Sequence, residues 1–369
     1  MGLGDKIKDA YASMKKVSRQ KEVEVSNASY FKFMQEAGVE IKRLSAEQKA
    51  EVDAIWKKYK KGAGYSYGTH ELYYSATGEF DATIVPEDLF FCTIFSSFND
   101  EEIGKAYSDK NYFELVETGI RFPEAICRCI GGYYYDKDYK LLTKPEADKL
   151  LAEQLESLGA FVAKPSKVSG RGAGVELFKK GEIVTTDSLA EIYDNDYIIQ
   201  KKFIQHKAMA ALNEDSVNVI RVNTFFVGDE PEVEMCTIRS GAVGSIHDHS
   251  TTDKRNVIMG VTKDGRIKDF GFKPTGEKTE VADNGFKFGG MEIPGFEEMC
   301  QMCIEGHKRL PDFRFIGWDM VIDEDGHPVA MEYNVRRPGI LFYQWCNGGM
   351  LGQAKDEILR KLRAVGVEK

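Results

Sequence analysis

The stretch that most constrains this chain lies near its end, where residues 316–334 read IGWDMVIDEDGHPVAMEYN. Two apolar runs flank Asp325-Gly326, the strongest short-range signature of a β-hairpin. With those two residues as the loop, Asp319 faces Glu332 across the ribbon and Asn334 follows on the same face. Directly opposed carboxylates repel unless a cation or a proton lies between them. A divalent ion is the economical solution. Two anionic oxygen donors and one amide suit magnesium, or manganese, which takes its remaining ligands from water and from substrate phosphates. The alternative is a solvated surface ribbon, but Trp318, Met320, Val321 and Met331 mark the hairpin as buried.

At 369 residues the chain has length for two or three domains, and 42% hydrophobic with 30% charged residues is the mix of a globular protein. Its formal net charge of −9 repels polyanions, so no nucleic-acid partner is expected and an anionic ligand needs a local cluster of Lys and Arg. Seven cysteines without a regular framework, and no N-terminal apolar run with a cleavage site, point to a reducing cytoplasm. The pairs Cys127/Cys129 and Cys300/Cys303 read as buried thiols in apolar company, not as metal or redox centres.

Residues 1–105 read as a mainly helical cap. Helices are expected to about Arg19, from Tyr30 to Ile41, and from Ser45 to about Lys61. Ser45 with Gln48 forms a capping box, and Gly62 and Gly64 supply the stop. The basic stretch Lys6–Arg19 carries Leu3, Ile7, Tyr11 and Met14 at helical spacing. A helix packed on its own domain is favoured there over one touching a membrane surface. From Ser108 short apolar strands alternate with helices, an α+β pattern divided into 106–205 and 206–369. Strands are expected at Ala125–Ile130, Ala160–Lys164, Val175–Phe178, Tyr197–Gln200, Val219–Val227 and Val233–Arg239. Helices fall at Asn111–Thr118, Lys144–Leu158 and Phe296–Leu310.

Two further segments carry chemistry. In AFVAKPSKVSGRGAG, residues 160–174, a strand delivers Lys164 to a loop with Ser169, Gly170, Gly172 and Gly174. Glycines let backbone N–H groups approach phosphate oxygens, and the lysine adds a point charge. The spacing fits neither a Walker A loop nor a dinucleotide fingerprint. In YIIQKKFIQH, residues 197–206, an extended backbone can read an adenine edge while Phe203 and Ile204 cover the ring. A plain core strand ending in a solvated turn is the bland reading of that stretch.

Taken in order, Ser108-Asp109-Lys110, FVAKPS, the Gly170–Gly174 loop, YIIQ, SVNVIRVNTF from Ser216, and the final hairpin with PGILFYQ resemble the ATP-grasp superfamily. The closest likeness is to its sugar-transfer associated branch. The resemblance implies two α+β subdomains clasping ATP, behind the helical N-terminal region. It implies a carboxylate-amine ligase that forms an amide through an acyl phosphate, with ATP and magnesium as cofactors and a role in surface polysaccharide or glycoconjugate biosynthesis. Lys110 and Lys164 match the lysines that hold the phosphates, the glycine loop matches the lid, and Gln200, Phe203 and Ile204 match the adenine pocket. Asp319, Glu332 and Asn334 match the metal positions, and Arg221 resembles the arginine that steadies the acyl phosphate.

The chain departs from the pattern in places. Gln200 stands where many members have glutamate, and Asp215 is the residue assigned to the ribose. Arg336 and Arg337 make the segment after the metal asparagine basic, which points to an anionic substrate. His247 and His249, in SIHDHSTTDKRN, are read as substrate contacts in preference to a zinc pair. The implied partners are a small carboxylate and an amine, a sugar acid or amino acid among them. A small-molecule kinase, and a nucleotide-binding module without turnover, are the rival readings.

Overall fold

The computed structural model describes residues 3–59, 65–117, 119–167, 174–226, 230–248, 253–336 and 338–350, with side chains from Ser18 onward. A single helix, α1 (Leu3–Glu36), replaces the two expected at its start. Residues 20–29, QKEVEVSNAS, contain neither Gly nor Pro, so nothing halts it. Arg19, Val23, Asn27 and Met34 continue one buried stripe along it. Helix α2 (Ala46–Trp56) carries the capping box: Ser45 Oγ accepts from Gln48 N at 3.2 Å and Ser45 N donates to Gln48 Oε1 at 2.9 Å. Helix α3 (Gly68–Thr77) ends on Gly78 in the left-handed region, and no helix among the described residues is long and apolar enough to cross a membrane.

Two antiparallel sheets follow. The first has six strands: β1 (Ala125–Ile130), β2 (Tyr133–Asp136), β3 (Leu141–Leu142), β4 (Ala160–Pro165), β5 (Glu176–Lys179) and β6 (Asp196–Lys201), in the order β3-β2-β1-β6-β4-β5. Helix α4 (Lys144–Leu158) buries Leu151 and Leu155 against Phe161, Tyr197 and Ile199 of this sheet. The second has seven: β7 (Ile220–Phe226), β8 (Pro231–Ser240), β9 (Val257–Val261), β10 (Ile267–Phe272), β11 (Lys278–Thr279), β12 (Phe315–Ile322) and β13 (Pro328–Asn334). Its order is β11-β10-β9-β8-β7-β12-β13.

Alternation along the central strands decides where the site lies. Ile220 and Val222 of β7 and Ile316, Trp318 and Met320 of β12 face helix α5 (Phe296–Lys308), meeting Met299 and Cys303. The opposite parity turns Phe225 and Phe315 toward the N-terminal helices, where Trp56, Tyr59, Phe90 and Phe95 complete a second core with Tyr343 of helix α6 (Leu341–Asn347). The helices before Ser108 thus share their core with the larger sheet. Farther along that same face, Arg221 and Asp319 replace the aromatics and both are buried. All seven cysteines are free, and only Cys300 is not fully buried.

The final hairpin has the expected pair but reaches it by another route. Its loop holds three residues, Glu324 to Gly326, because Asp323 N donates to His327 O and Gly326 N to Asp323 O, both at 2.9 Å, with Gly326 at φ 92°. Ile322 therefore pairs with Pro328 and Met320 with Ala330. A register shift between Asp319 and Met320 leaves Met331 as an extra residue and restores Asp319 opposite Glu332 and Gly317 opposite Asn334.

Candidate active site

A cavity of about 480 Å³ opens where the two sheets and the N-terminal helices meet. Lys110, Lys164, Arg221, Asp319, Glu332 and Asn334 all line it, although they span more than two hundred residues of sequence. Lys110 begins a short 3-10 turn capped by Asp109, whose Oδ1 accepts from Asn111 N at 3.0 Å. Its own backbone N donates to Ser166 O at 2.9 Å, which ties the turn to the end of β4. Lys164 precedes Pro165 in that strand, opposite Ile198 of β6. Both lysines are buried, and Lys110 Nζ lies 3.0 Å from Glu332 Oε2, so one ion pair spans the two sheets. Burial, helped by the neighbouring charge of Lys110 and opposed by Glu332, lowers the Lys164 ammonium to about 8.

Asp319 sits at the centre of a buried charge network. Arg221, its cross-strand partner on β7, donates Nε to Oδ1 at 2.5 Å and Nη2 to Oδ2 at 3.1 Å. Arg239, on β8, adds Nη2 to Oδ1 at 3.3 Å, and its Nε lies 3.0 Å from Asp248 Oδ2. Asn334 Nδ2 donates to Asp319 Oδ2 and to Gly317 O, both at 3.2 Å. Burial by itself would raise the Asp319 carboxyl, but Arg221 and then Arg239 hold it down to about 2. The guanidinium of Arg221 lies against Gly317, where a Cβ would come within 3.1 Å of Nη1, and its Cζ is 5.5 Å from the centre of the Tyr343 ring.

This network revises the premise that a metal ion must separate the two carboxylates. Arg221 and Arg239 already balance Asp319, and Lys110 balances Glu332. The donor set nevertheless fits a hard cation: two carboxylates and an amide whose nitrogen is spent on Asp319 and Gly317, so that its carbonyl oxygen is the atom left to ligate. Among the described residues no group of three or more His, Cys, Asp or Glu is placed to hold a metal ion. An ion here would complete its shell from water and phosphate oxygens.

The other residues singled out in the sequence divide. Gln200 is buried and donates Nε2 to Pro123 O at 2.9 Å, in a crevice it shares with Lys110, Lys164 and Met331. Phe203 packs on Val219, Val321 and Val329, while Ile204 is 59% exposed. Asp215 is exposed and accepts from Gly244 N at 2.7 Å. His247 is half-buried in the turn after β8, and Arg336 lies with its stem near Gly104. None of Ile204, Asp215, His247 and Arg336 is among the described lining residues of the cavity. Gly174, at φ 76°, packs so closely on Pro165 that a Cβ would meet its Cγ at 2.9 Å. Ser169, Gly170, Gly172, His249 and Arg337 lie outside the described residues.

Arg239, Asp248 and Tyr343 were not anticipated. Arg221 pairs with Thr237, so Arg239 is its diagonal neighbour on the same face, a relation that follows once β7 and β8 are paired. Asp248 and Tyr343 reach the site only through tertiary folding.

The family model described as sugar-transfer associated ATP-grasp matches residues 93–359. Among solved structures, the chain is similar to the VanG D-Ala:D-Ser ligase from Enterococcus faecalis, at 15% identity and TM-score 0.42, over 70% of this chain and 61% of that one. It is also similar to the ATP-grasp ligase PsnB complexed with a phosphomimetic variant of its minimal precursor, Mg and ADP, at 12% identity, TM-score 0.42 and coverages of 75% and 66%. A D-alanine–D-alanine ligase from Bacillus anthracis complexed with ATP aligns at 15% identity and TM-score 0.39, over 70% of this chain and 69% of that one. No curated protein matches the sequence.

Proposed function

The chain belongs to the sugar-transfer associated ATP-grasp family, and from that premise we propose that it is an ATP-dependent ligase joining a carboxylate to an amine through an acyl phosphate. The observation that carries this reading is the meeting of both lysines with Asp319, Glu332 and Asn334 in one cavity, bridged at 3.0 Å by Lys110 and Glu332. Away from helix α1, four cationic side chains, Lys110, Lys164, Arg221 and Arg239, line that cavity against three acids, Asp319, Glu332 and Asp248, which suits a polyanion brought in with a metal ion.

Lys110 and Lys164 neutralise and orient the triphosphate. Asp319, Glu332 and Asn334 would hold magnesium or manganese, which when bound supplies charge neutralisation on the phosphate oxygens. The substrate carboxylate attacks the γ-phosphorus, the bond to ADP breaks, and Arg221 steadies the acyl phosphate through the edge not committed to Asp319. The amine then displaces phosphate. Gln200 serves the adenine side of the crevice behind the lysines, and Phe203 covers the ring. The loop holding Ser169, Gly170, Gly172 and Gly174 excludes water. Asp215, expected at the ribose, and His247 and Arg336, expected at the substrate, lie outside the described lining of this cavity and are given no role in it, while His249 and Arg337 are proposed for substrate binding from the sequence. The description of the family as sugar-transfer associated supports a place in surface-polysaccharide or glycoconjugate assembly, in which the carboxylate is a sugar acid or amino acid.

The test is a phosphate-release screen over sugar acids and amino acids, each paired with amines, followed by mass analysis of the product. Amide with free phosphate is expected. A product that keeps the phosphoryl group would assign the site to a kinase instead. In Glu332→Gln turnover should fall by about a hundredfold or more, with the circular-dichroism spectrum unchanged. Full activity at saturating magnesium would contradict the role given to Glu332.

A further inference from the structure

Charges and aromatic rings are segregated in the cavity. Lys110, Lys164, Arg221 and Arg239 line it from the two sheets and from the turn tied to β4. The four rings among its described lining residues, Tyr30, Phe91, Phe342 and Tyr343, all come from helical segments. Tyr30 of α1 and Phe91, in the helical turn Phe90–Ile94, precede the segment matched by the family model, which begins at residue 93.

The ring surface begins at the charged end of the site. The centre of the Tyr343 ring is 5.5 Å from Cζ of Arg221, and Phe342, next to it on α6, meets Tyr30 edge to face with centroids 5.2 Å apart. Val23 lies two turns before Tyr30 on the same face of α1 and adds apolar surface. Tyr30, Phe91 and Phe342 are only half-buried, so each keeps part of its surface open. The charged groups of this wall are already engaged, Arg19 with Glu101, and Glu22 and Glu87 within the protein as well. A guanidinium selects a carboxylate. Flat rings select a rigid body over a flexible chain, which loses more rotational freedom on being held.

We propose that the carboxylate substrate carries its acid group on a ring, and that Tyr30, Phe91 and Phe342 seat this ring while the carboxylate lies at Arg221. The inference rests on the ligase reading above and narrows its substrate to a ring-bearing acid. Because Tyr343 joins Arg221 to the other rings, the substrate that is activated at Arg221, and not the amine, is the one whose body meets this wall. A short linear acid would fill the charged end and leave the rings to water.

The experiment saturates the full chain with Mg·ADP and titrates cyclohexanecarboxylate, D-glucuronate, heptanoate and cyclohexylmethanol separately at fixed ionic strength. Heptanoate keeps the carbon count of cyclohexanecarboxylate without its ring, and cyclohexylmethanol keeps the ring without the charge. At least one ring acid should bind about tenfold more tightly than either control, and the tighter of the two tells whether the ring is bare or hydroxylated. Phe91→Ala should weaken that ring acid about tenfold and heptanoate by no more than about twofold, with Mg·ADP affinity and the circular-dichroism spectrum retained. Ser26→Trp, at a half-buried lining position on α1, should obstruct the ring acid about tenfold by occupying its space, and carries the test if Phe91→Ala does not fold. Heptanoate or the alcohol binding as tightly as both ring acids, no binding of either ring acid, or ring-acid affinity unchanged by the folded variants would overturn the ring subsite. Failure of the unmodified protein to bind Mg·ADP would instead sink the ligase reading, so the two failures are distinguishable.

Discussion

Lys164 ends an apolar strand with its ammonium buried beside a second lysine, and burial holds it near 8 where an exposed lysine titrates far higher. The sign of the consequence follows. Phosphate oxygens favour the charged form, so above about pH 8 nucleotide binding must take up a proton. Mg·ADP affinity should be constant below that point and fall by about tenfold per pH unit above it, until the pKa of the bound state is passed. Calorimetric titrations between pH 7 and 9.5 would measure it, and Lys164→Arg should flatten the profile. Asp319 makes the complementary case. Asp319→Asn would leave Arg221 and Arg239 buried with less counter-charge, and should cost about 3–5 kcal/mol in urea unfolding. A loss under 1 kcal/mol would mean that the arginines find other partners. Why Asp319 carries two arginines could not be read from the hairpin, because both come from neighbouring strands.

Elements were legible where sequence carries its own boundary. Ala125–Ile130 and Lys144–Leu158 form with the limits expected, the helix because Pro145 fits its first turn and Gly159 its left-handed end. The Ser45 capping box likewise appears as read. Ser45→Ala should lower stability by about 1 kcal/mol by chemical denaturation, and an unchanged midpoint would show that tertiary packing alone holds α2. The long helix α1 was expected as two helices, although residues 20–29 contain neither Gly nor Pro and the backbone has no reason to stop there. Strands β9, β10 and β11 were missed as well. Gly260 and Gly271 interrupt β9 and β10, and a Cβ at Gly260 would fall within 3.1 Å of Cys346 O. Their pattern reflects packing on α6 more than alternation.

Across the whole molecule, the cavity joins three bodies of structure: the six-stranded sheet that brings Lys110 and Lys164, the seven-stranded sheet that brings the acids and arginines, and the helices before residue 93. A ligand that engages all three stabilises only the folded arrangement. Mg·ADP at a hundred times its dissociation constant should therefore raise unfolding free energy by about 2.7 kcal/mol, read as a higher thermal midpoint. The rise should disappear when magnesium is chelated. A midpoint indifferent to nucleotide would argue against nucleotide binding in this cavity.

Alone, the sequence determined the family and the strand-borne Lys164, which follow from local spacing and alternation; the opposition of Asp319 and Glu332 was expected from a two-residue loop and is reached through a three-residue loop and a bulge. Tertiary structure decided the rest. It supplied arginines to Asp319, set Ile204 and Asp215 apart from the cavity, and made α1 a wall of the site. Those outcomes depend on contacts between segments that spacing along the chain does not encode, and on which buried charges find partners once water is excluded.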